Sequence, residues 1–473
     1  MEFKRYLAAP VLALLVATSA CDDGLTEINR NPNEPEDVPA ANLLISAIRT
    51  TIGGTYGTHG VWAGLYLTNI WSQQIAQVAY NDEDKYIPRP AQVDGIWDQM
   101  YTGPLADYKW IKDKAEAEGD DNLWAVAQIM SMYVFHYLTD VYGAIPFSEA
   151  LGGAENPHPK YDPQPEVYDG ILAGLKAAAA KIDASASTSS WADADPIYGG
   201  DMEAWRKFAN SLRLRVAMRM SAADPAKARE EFVDAYNAGV FESNDDNALM
   251  HWGSAYLDEN PRYDYYYNQD RYDFAMSKAM IDKLVDLNDP RLPIYADPAR
   301  ADGQYRGLPN GETPSDINLT VNHISSIGAY FLKADAPSDI MTYAEVLFLA
   351  AEAAAEGWIA GDPADLYRQA ITASMKRYGI AQADIDAYLA QPSVAYSRDN
   401  LYEQKWIALF LNGPEGWAEQ RRTGIPVLKP AAGDKIPARL YYPSGEQLYN
   451  YDNWAAAGGP NVTLFEPKLW WQR

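Results

Sequence analysis

The chain has 473 residues, 48 % of them apolar, which is length enough for one large domain or about three smaller ones and a composition that excludes a mainly disordered chain. Thirty-nine Lys and Arg stand against 65 Asp and Glu, and a net charge of -26 repels phosphate backbones and anionic membrane surfaces, so no nucleic-acid partner is expected. Aromatic residues make up 12 %, dominated by 33 Tyr and 14 Trp over 11 Phe; rings with a polar edge suit wet recognition surfaces that stack on flat or ring-shaped ligands.

Residues 1–20 have the three parts of an export signal: Lys4 and Arg5, an apolar run over 7–16, then the small residues Thr18, Ser19 and Ala20. The run is too short to span a bilayer, and the single cysteine, Cys21, follows it directly. The arrangement looks like a bacterial lipoprotein signal in which Cys21 becomes the lipidated first residue, although Thr18 stands where an aliphatic residue is usual. Cleavage by ordinary signal peptidase, leaving Cys21 a spare thiol, is the alternative. Residues 21–38, with Asp22, Asp23, Asn29, Asn31, Pro32 and Pro35, read as a flexible tether, and 39–473 as a single domain.

From Pro39 onward apolar residues recur at helical spacing, and strict alternation is rare, so the domain is expected to be mainly α-helical. The clear segments are 62–80, 122–139, 164–180, 201–220, 225–238, 273–287, 341–356, 363–378 and 401–411. Asp201, Asp224-Pro225 and Asp362-Pro363 have the chemistry of helix starts: a side-chain acceptor before a proline or a first turn. Two helix-turn-helix units, 201–238 and 341–378, have the length of tetratricopeptide-like repeats of about 34 residues, or of ordinary helical hairpins. Long loops rich in Tyr, Asn, Asp and Pro cover 81–90, 239–272, 289–338 and 426–473, and loops of that length in a compact domain are usually functional.

Catalytic chemistry finds little footing. The five histidines, His59, His136, His158, His251 and His323, are dispersed with no H-E-x-x-H, so no zinc site is expected. There is no G-K-[ST] step, and Gly53-Gly54-Thr55-Tyr56-Gly57 reads as a turn between helices. The run Asn81-Asp82-Glu83-Asp84 has oxygen donors but not the spacing of the twelve-residue calcium loop. No catalytic residue, metal or cofactor is assigned. A carboxylate pair for glycoside hydrolysis remains the enzyme alternative, since sequence does not show the separation such a pair needs.

Aromatic clustering in loops stands above background. Residues 252–272 read WGSAYLDENPRYDYYYNQDRY, where ring faces can stack on sugars or peptide side chains while amides and an arginine supply directional bonds. Candidate ligand contacts are Trp252, Asn260, Tyr263, Tyr265, Tyr266 and Arg271, with Trp71, Gln74 and Tyr80 behind them. On a helix over 62–80, Gln73, Gln77 and Tyr80 share one side, which reads equally as a binding wall or a polar exterior.

Several motifs together resemble the SusD/RagB-like outer-membrane lipoproteins of Bacteroidetes-type bacteria, in the branch called SusD-like 2. They are LTEINRNPNEPEDVP at 25–39, YLTDVYGAIPFSEAL at 137–151, KYDPQPEVY at 160–168, GDMEAWRKFANSLRLRVAMRM at 200–220, NDPRLP at 288–293, IMTYAEVLFLAAEAAAEG at 340–357, YEQKWIALFLNGPEGWAEQRRTGIP at 402–426, IPARLYYP at 436–443 and KLWW at 468–471. The resemblance implies a mainly α fold in which tetratricopeptide-like helix pairs are covered on one side by irregular loops. It further implies a lipid-anchored, surface-exposed protein of the cell outer membrane that captures oligosaccharides or peptides for a SusC-like TonB-dependent transporter, without catalysis. A protein-binding scaffold is the other alternative. Arg213, Arg219, Arg421, Arg422 and Trp417 lie in these motifs and are expected to pair with carboxylates or form a structural corner. Ligand contacts in the family lie in variable loops, so none transfers by motif.

Overall fold

A computed structural model describes residues 38–472. Cys21, the signal at 1–20 and nearly all of the tether at 21–38 lie outside the described residues. The α-helices of eight or more residues are α1 (Ala40–Gly53), α2 (Pro90–Met100), α3 (Ala106–Glu118), α4 (Asp121–Tyr142), α5 (Gln164–Lys181), α6 (Met202–Arg219), α7 (Pro225–Asn237), α8 (Lys278–Asp286), α9 (Tyr343–Ala355), α10 (Pro363–Lys376), α11 (Gln382–Leu389), α12 (Arg398–Ala408) and α13 (Gly413–Thr423). Six strands of two to four residues, β1 (Ile75–Gln77), β2 (Ala248–Met250), β3 (Phe274–Met276), β4 (Ala296–Asp297), β5 (Ser326–Ile327) and β6 (Ser338–Met341), form antiparallel pairs β1-β3, β2-β6 and β4-β5. The fold is mainly α, with helix pairs as scaffold and long irregular loops between them.

Local chemistry sets the helix ends. Asp120 accepts a hydrogen bond from Leu123 N to open α4, Asp201 accepts from Glu203 N and Ala204 N to open α6, and Asp224 and Asp362 do the same before Pro225 and Pro363. Each cap satisfies amides that the first turn leaves unpaired. The helices then stack in chain order: α3 on α4, α4 on α5, α5 on α6, α6 on α7, and later α9 on α10. Helix α9 also meets α6, which joins the two runs around one continuous apolar core.

Where α4, α6, α9, α12 and α13 converge, the interior is ionic. Arg215, Arg219, Lys405 and Arg422 interleave with Asp140, Glu345, Glu352, Glu415 and Glu419, all nearly inaccessible to solvent. Charges buried this deeply persist only when paired and hydrogen-bonded. Arg422 reaches both Glu352 and Glu419, and burial, which opposes its charge, is overcome by those two carboxylates. Arg421 instead lies 3.6 Å over the Trp417 ring and donates to the carbonyls of Asp140 and Ala438. Arg213 pairs with Glu231 and Asp234. The expected corner and arginine pairings are thus internal struts.

The helix anticipated over 62–80 does not run through. A π-helix occupies Val61–Asn69, the chain turns at Gln73 in the left-handed region, and 75–77 is the extended strand β1. Gln73 donates to Lys429 O, and the ladder to β3 outweighs the helical period. Gln73, Gln77 and Tyr80 therefore share no helix face. Likewise the segment anticipated at 273–287 opens as β3 and becomes helical only at Lys278.

Candidate functional site

Helix α1 ends at Gly53, and the glycine turn that follows returns the chain so that Trp62 N donates to Thr55 O and the π-helix begins. That helix packs on α13 and carries Trp62 and Tyr66, whose rings stack 4.6 Å apart at 17°. Strand β1 follows and pairs with β3, so Asp273, immediately before β3, is held beside the π-helix. The loop leading to β3 contributes a short π-helical turn, Asp264–Asn268, with Tyr265 on it.

These elements tie a polar floor. Oδ2 of Asp273 accepts from Tyr265 Oη at 2.5 Å, Tyr66 Oη at 2.9 Å and Arg271 Nε at 3.0 Å, and the two tyrosine hydroxyls lie 2.7 Å apart. Burial works against ionisation of Asp273, but the three donors outweigh it and hold the carboxyl below its usual range. Burial pushes the Tyr66 hydroxyl up to about 12, so it stays a neutral hydroxyl. With the carboxyl held ionised and Tyr66 held neutral, the network is a hydrogen-bonded floor rather than a proton-transfer device.

Two cavities adjoin here, the first of them lined by this network. One of 210 Å³ is lined by Thr55, Trp62, Tyr66, Tyr265, Gln269 and Arg271, and one of 260 Å³ by Arg49, Thr50, Trp252, Leu257 and Glu259. Gly53, Pro261 and Asp264 line both, which makes them one groove with a half-buried tryptophan at either end. Trp252 reaches its place because Gly53 has no side chain: a Cβ there would lie 2.1 Å from the indole ring. Its Nε1 donates to Ser338 Oγ on β6 at 3.1 Å, which anchors the edge of the ring. At the other end the Arg89 guanidinium lies 5.1 Å from the Trp62 ring and pairs with the buried Glu83. Two larger hollows, of 530 Å³ between α9, α10 and α11 and of 560 Å³ beside α13, are lined mostly by charged and aliphatic side chains, with a single aromatic residue each, Tyr343 and Phe465. Neither has paired ring faces.

Of the residues singled out from sequence, the groove brings together Trp252, Tyr265 and Arg271. Asn260 is buried and caps the turn at Pro261–Tyr263, with Oδ1 accepting from Arg262 N and Nδ2 donating to Ala336 O. Tyr266 is buried and donates to Phe274 O, while Tyr263 packs on Tyr267 outside the groove lining. Trp71 and Gln74 are corrected from a binding face to the interior: Trp71 donates to Glu83 O and packs edge-on to Trp417, and Gln74 bridges Leu409 O and Leu411 N. Tyr80 is 72 % exposed but lines neither cavity. The acidic run at 81–84 is likewise occupied, since Glu83 accepts from Gln77 and Gln92, and Asp84 from Asn310 and Gln77 N. Among the described residues no group of three His, Cys, Asp or Glu side chains is placed to hold a metal ion.

Sequence reasoning missed Trp62, Tyr66, Asp273, Asp264, Arg49 and Glu259. For Trp62 a signal was present, an aromatic two residues after the glycine-rich turn Gly53 to Gly60.

Comparison with known proteins fits this architecture. A family described as starch-binding and associating with the outer membrane, SusD-like 2, matches residues 32–443. Among solved structures, a chitin-binding protein is 31 % identical with a TM-score of 0.82, over 92 % of this chain and 100 % of that one. A SusD homologue from Bacteroides uniformis is 26 % identical with a TM-score of 0.82, over 92 % and 100 % of the two chains. A chitin-binding SusD homologue from Flavobacterium johnsoniae is 25 % identical with a TM-score of 0.78, over 91 % and 98 %. No curated protein matches.

Proposed function

We propose, from the premise that this chain belongs to the SusD-like 2 family of outer-membrane-associated proteins, that it captures oligosaccharides at the cell surface and delivers them to a SusC-like TonB-dependent transporter without cleaving them. The observation that carries the reading is the groove formed by two adjoining cavities, one holding Trp62 and the hydrogen-bonded Tyr66, Tyr265 and Arg271, the other holding Trp252. Sugar rings present flat C–H faces to aromatic rings and hydroxyls to polar edges, and this groove offers both. The likeness to chitin-binding structures supports a glycan over a peptide as cargo.

The remaining assignments are parts of the same proposal. Residues 1–20 are a signal removed on export, Cys21 carries the lipid, 21–38 is the tether and 39–473 is one domain. No described helix is long and apolar enough to cross a membrane, and a lipid at Cys21 would supply the attachment. A tethered protein beside its transporter works at high effective concentration, so affinities of about micromolar to millimolar suffice.

The test is titration calorimetry of the chain from Asp22 onward against a panel of oligosaccharides and peptide mixtures, with the sugars analysed afterwards for cleavage. Binding of one oligosaccharide class, intact after incubation and weakened by Trp62→Ala and Trp252→Ala, is the expected result. Peptide binding alone, cleavage, or binding that neither substitution alters would overturn the reading. Metabolic labelling of Cys21 with a fatty acid, and co-purification of a TonB-dependent barrel with the full-length protein, test the anchor and the partner.

A further inference from the structure

The charges lining the groove are unevenly matched. Each arginine there is already neutralised: Arg49 by Asp258, Arg271 by Asp273, and Arg89, beside Trp62, by Glu83. Two carboxylates are not. Asp264 accepts only neutral amide donors, from Asn268 Nδ2 at 2.9 Å and Gln269 Nε2 at 2.7 Å. Glu259 accepts from Asn268 Nδ2 at 2.6 Å and from the backbone N of Asp258 at 3.0 Å. Neither forms an ion pair among the described residues. Asp264 lines both cavities, the one that holds Trp252 and the one that holds Trp62.

We infer that the groove selects its glycan by charge, preferring oligosaccharides that carry ammonium groups, the amino sugars left when N-acetyl groups are removed, over neutral ones and rejecting anionic ones. This rests on the capture reading above and adds the class of sugar to it. Three cations that are already paired give an anionic uronate or sulfate nothing new to bind, whereas two carboxylates without a cation repel it. An ammonium at the sugar position over Asp264 would meet a carboxylate whose other contacts are neutral and would complete the missing ion pair. Partial enclosure by Trp252, Pro261 and Trp62 keeps solvent from screening that contact fully.

Three tetramers of equal length separate the possibilities: tetra-N-acetylchitotetraose, its fully de-N-acetylated counterpart, and tetragalacturonate, titrated at pH 6.0 in 20 mM and in 500 mM salt. The de-N-acetylated tetramer is expected to bind at least fivefold more tightly than the acetylated one in low salt, with the ratio collapsing in high salt, and tetragalacturonate is expected not to bind. Asp264→Asn, its folding checked by thermal melting, should bring the ratio of the two chito-oligomer affinities to about one; Glu259→Gln should lower it in the same direction. Binding of tetragalacturonate as tight as either chito-oligomer, or a ratio unchanged by both substitutions, overturns the inference while leaving capture standing. A neutral starch-type oligomer bound in preference to all three also overturns it. Failure of every oligosaccharide to bind removes the capture reading and this one together.

Discussion

Arg215 on α6 and Glu345 on α9 face each other through paired hydrogen bonds, Nε to Oε1 at 2.7 Å and Nη2 to Oε2 at 2.8 Å, with both side chains inside the protein. Arg215 also donates to Ile340 O beside the start of α9, so one guanidinium locks two layers of the scaffold. Burial opposes its charge, and Glu345 and Glu415 overcome that penalty. Removing one partner leaves the other charged and alone in the interior. Arg215→Met is therefore expected to destabilise the fold by about 3–5 kcal/mol, read as a lower urea midpoint. The double variant with Glu345→Met should lose less than the two single losses added together.

The two groove tryptophans are half-buried and pack on the edge of the core, so truncation acts on binding through the lost ring face and costs some stability as well. Trp62→Ala and Trp252→Ala should each weaken oligosaccharide binding about tenfold, ~1.4 kcal/mol, by calorimetry, with far-ultraviolet dichroism unchanged.

Gly53 holds Trp252 in place by being absent as a side chain. Gly53→Ala should displace the indole and lower affinity as far as Trp252→Ala does. The double variant should bind no worse than either single one, because both remove the same platform.

His59 is buried, and burial first, with the Arg262 guanidinium second, pulls its pKa down to about 3. The native state thus refuses a proton that the unfolded chain accepts below about 6.5, so stability falls as pH drops from 6.5 towards 3. Asp84 acts oppositely: burial raises it to about 6, so its penalty is present above 6 and is relieved as pH falls towards 3.8. His59→Phe removes the first effect and leaves the second. Between pH 7.5 and 4.5 the variant should gain about 3 kcal/mol relative to the parent, measured by denaturant unfolding at both values.

Asp273 gathers three donors on one oxygen. Asp273→Asn turns an amide toward some of them and should cost about 1–3 kcal/mol of stability, seen in thermal melts, together with a loss of affinity as the floor loosens.

Helices whose apolar period agrees with their caps could be read from sequence: α4 to α7, α9 and α10 lie within a few residues of their expected bounds, because Asp201, Asp224 and Asp362 fix their starts by local bonds. Segment 62–80 misled because most of its apolar residues, Leu65, Ile70 and Ile75 among them, are buried in the helical and the extended stretches alike, so burial leaves no period to tell them apart. Only the distant β3 decides between the two. The candidate site divides the same way. Trp252, Tyr265 and Arg271 come from one aromatic loop that composition exposes, whereas Trp62 and Tyr66 reach it through tertiary contact. Within that loop, Asn260 and Tyr266 resemble ligand contacts in composition, and only the backbone they satisfy reveals them as internal.

Tyr66 and Asp273 meet across 207 positions of chain. Closing a span of that length costs more chain entropy than forming the local contacts within each helix pair. The groove is consequently a product of the whole chain: a fragment ending before Asp273 keeps α1 to α7 but lacks the carboxylate that ties Tyr66 to Tyr265.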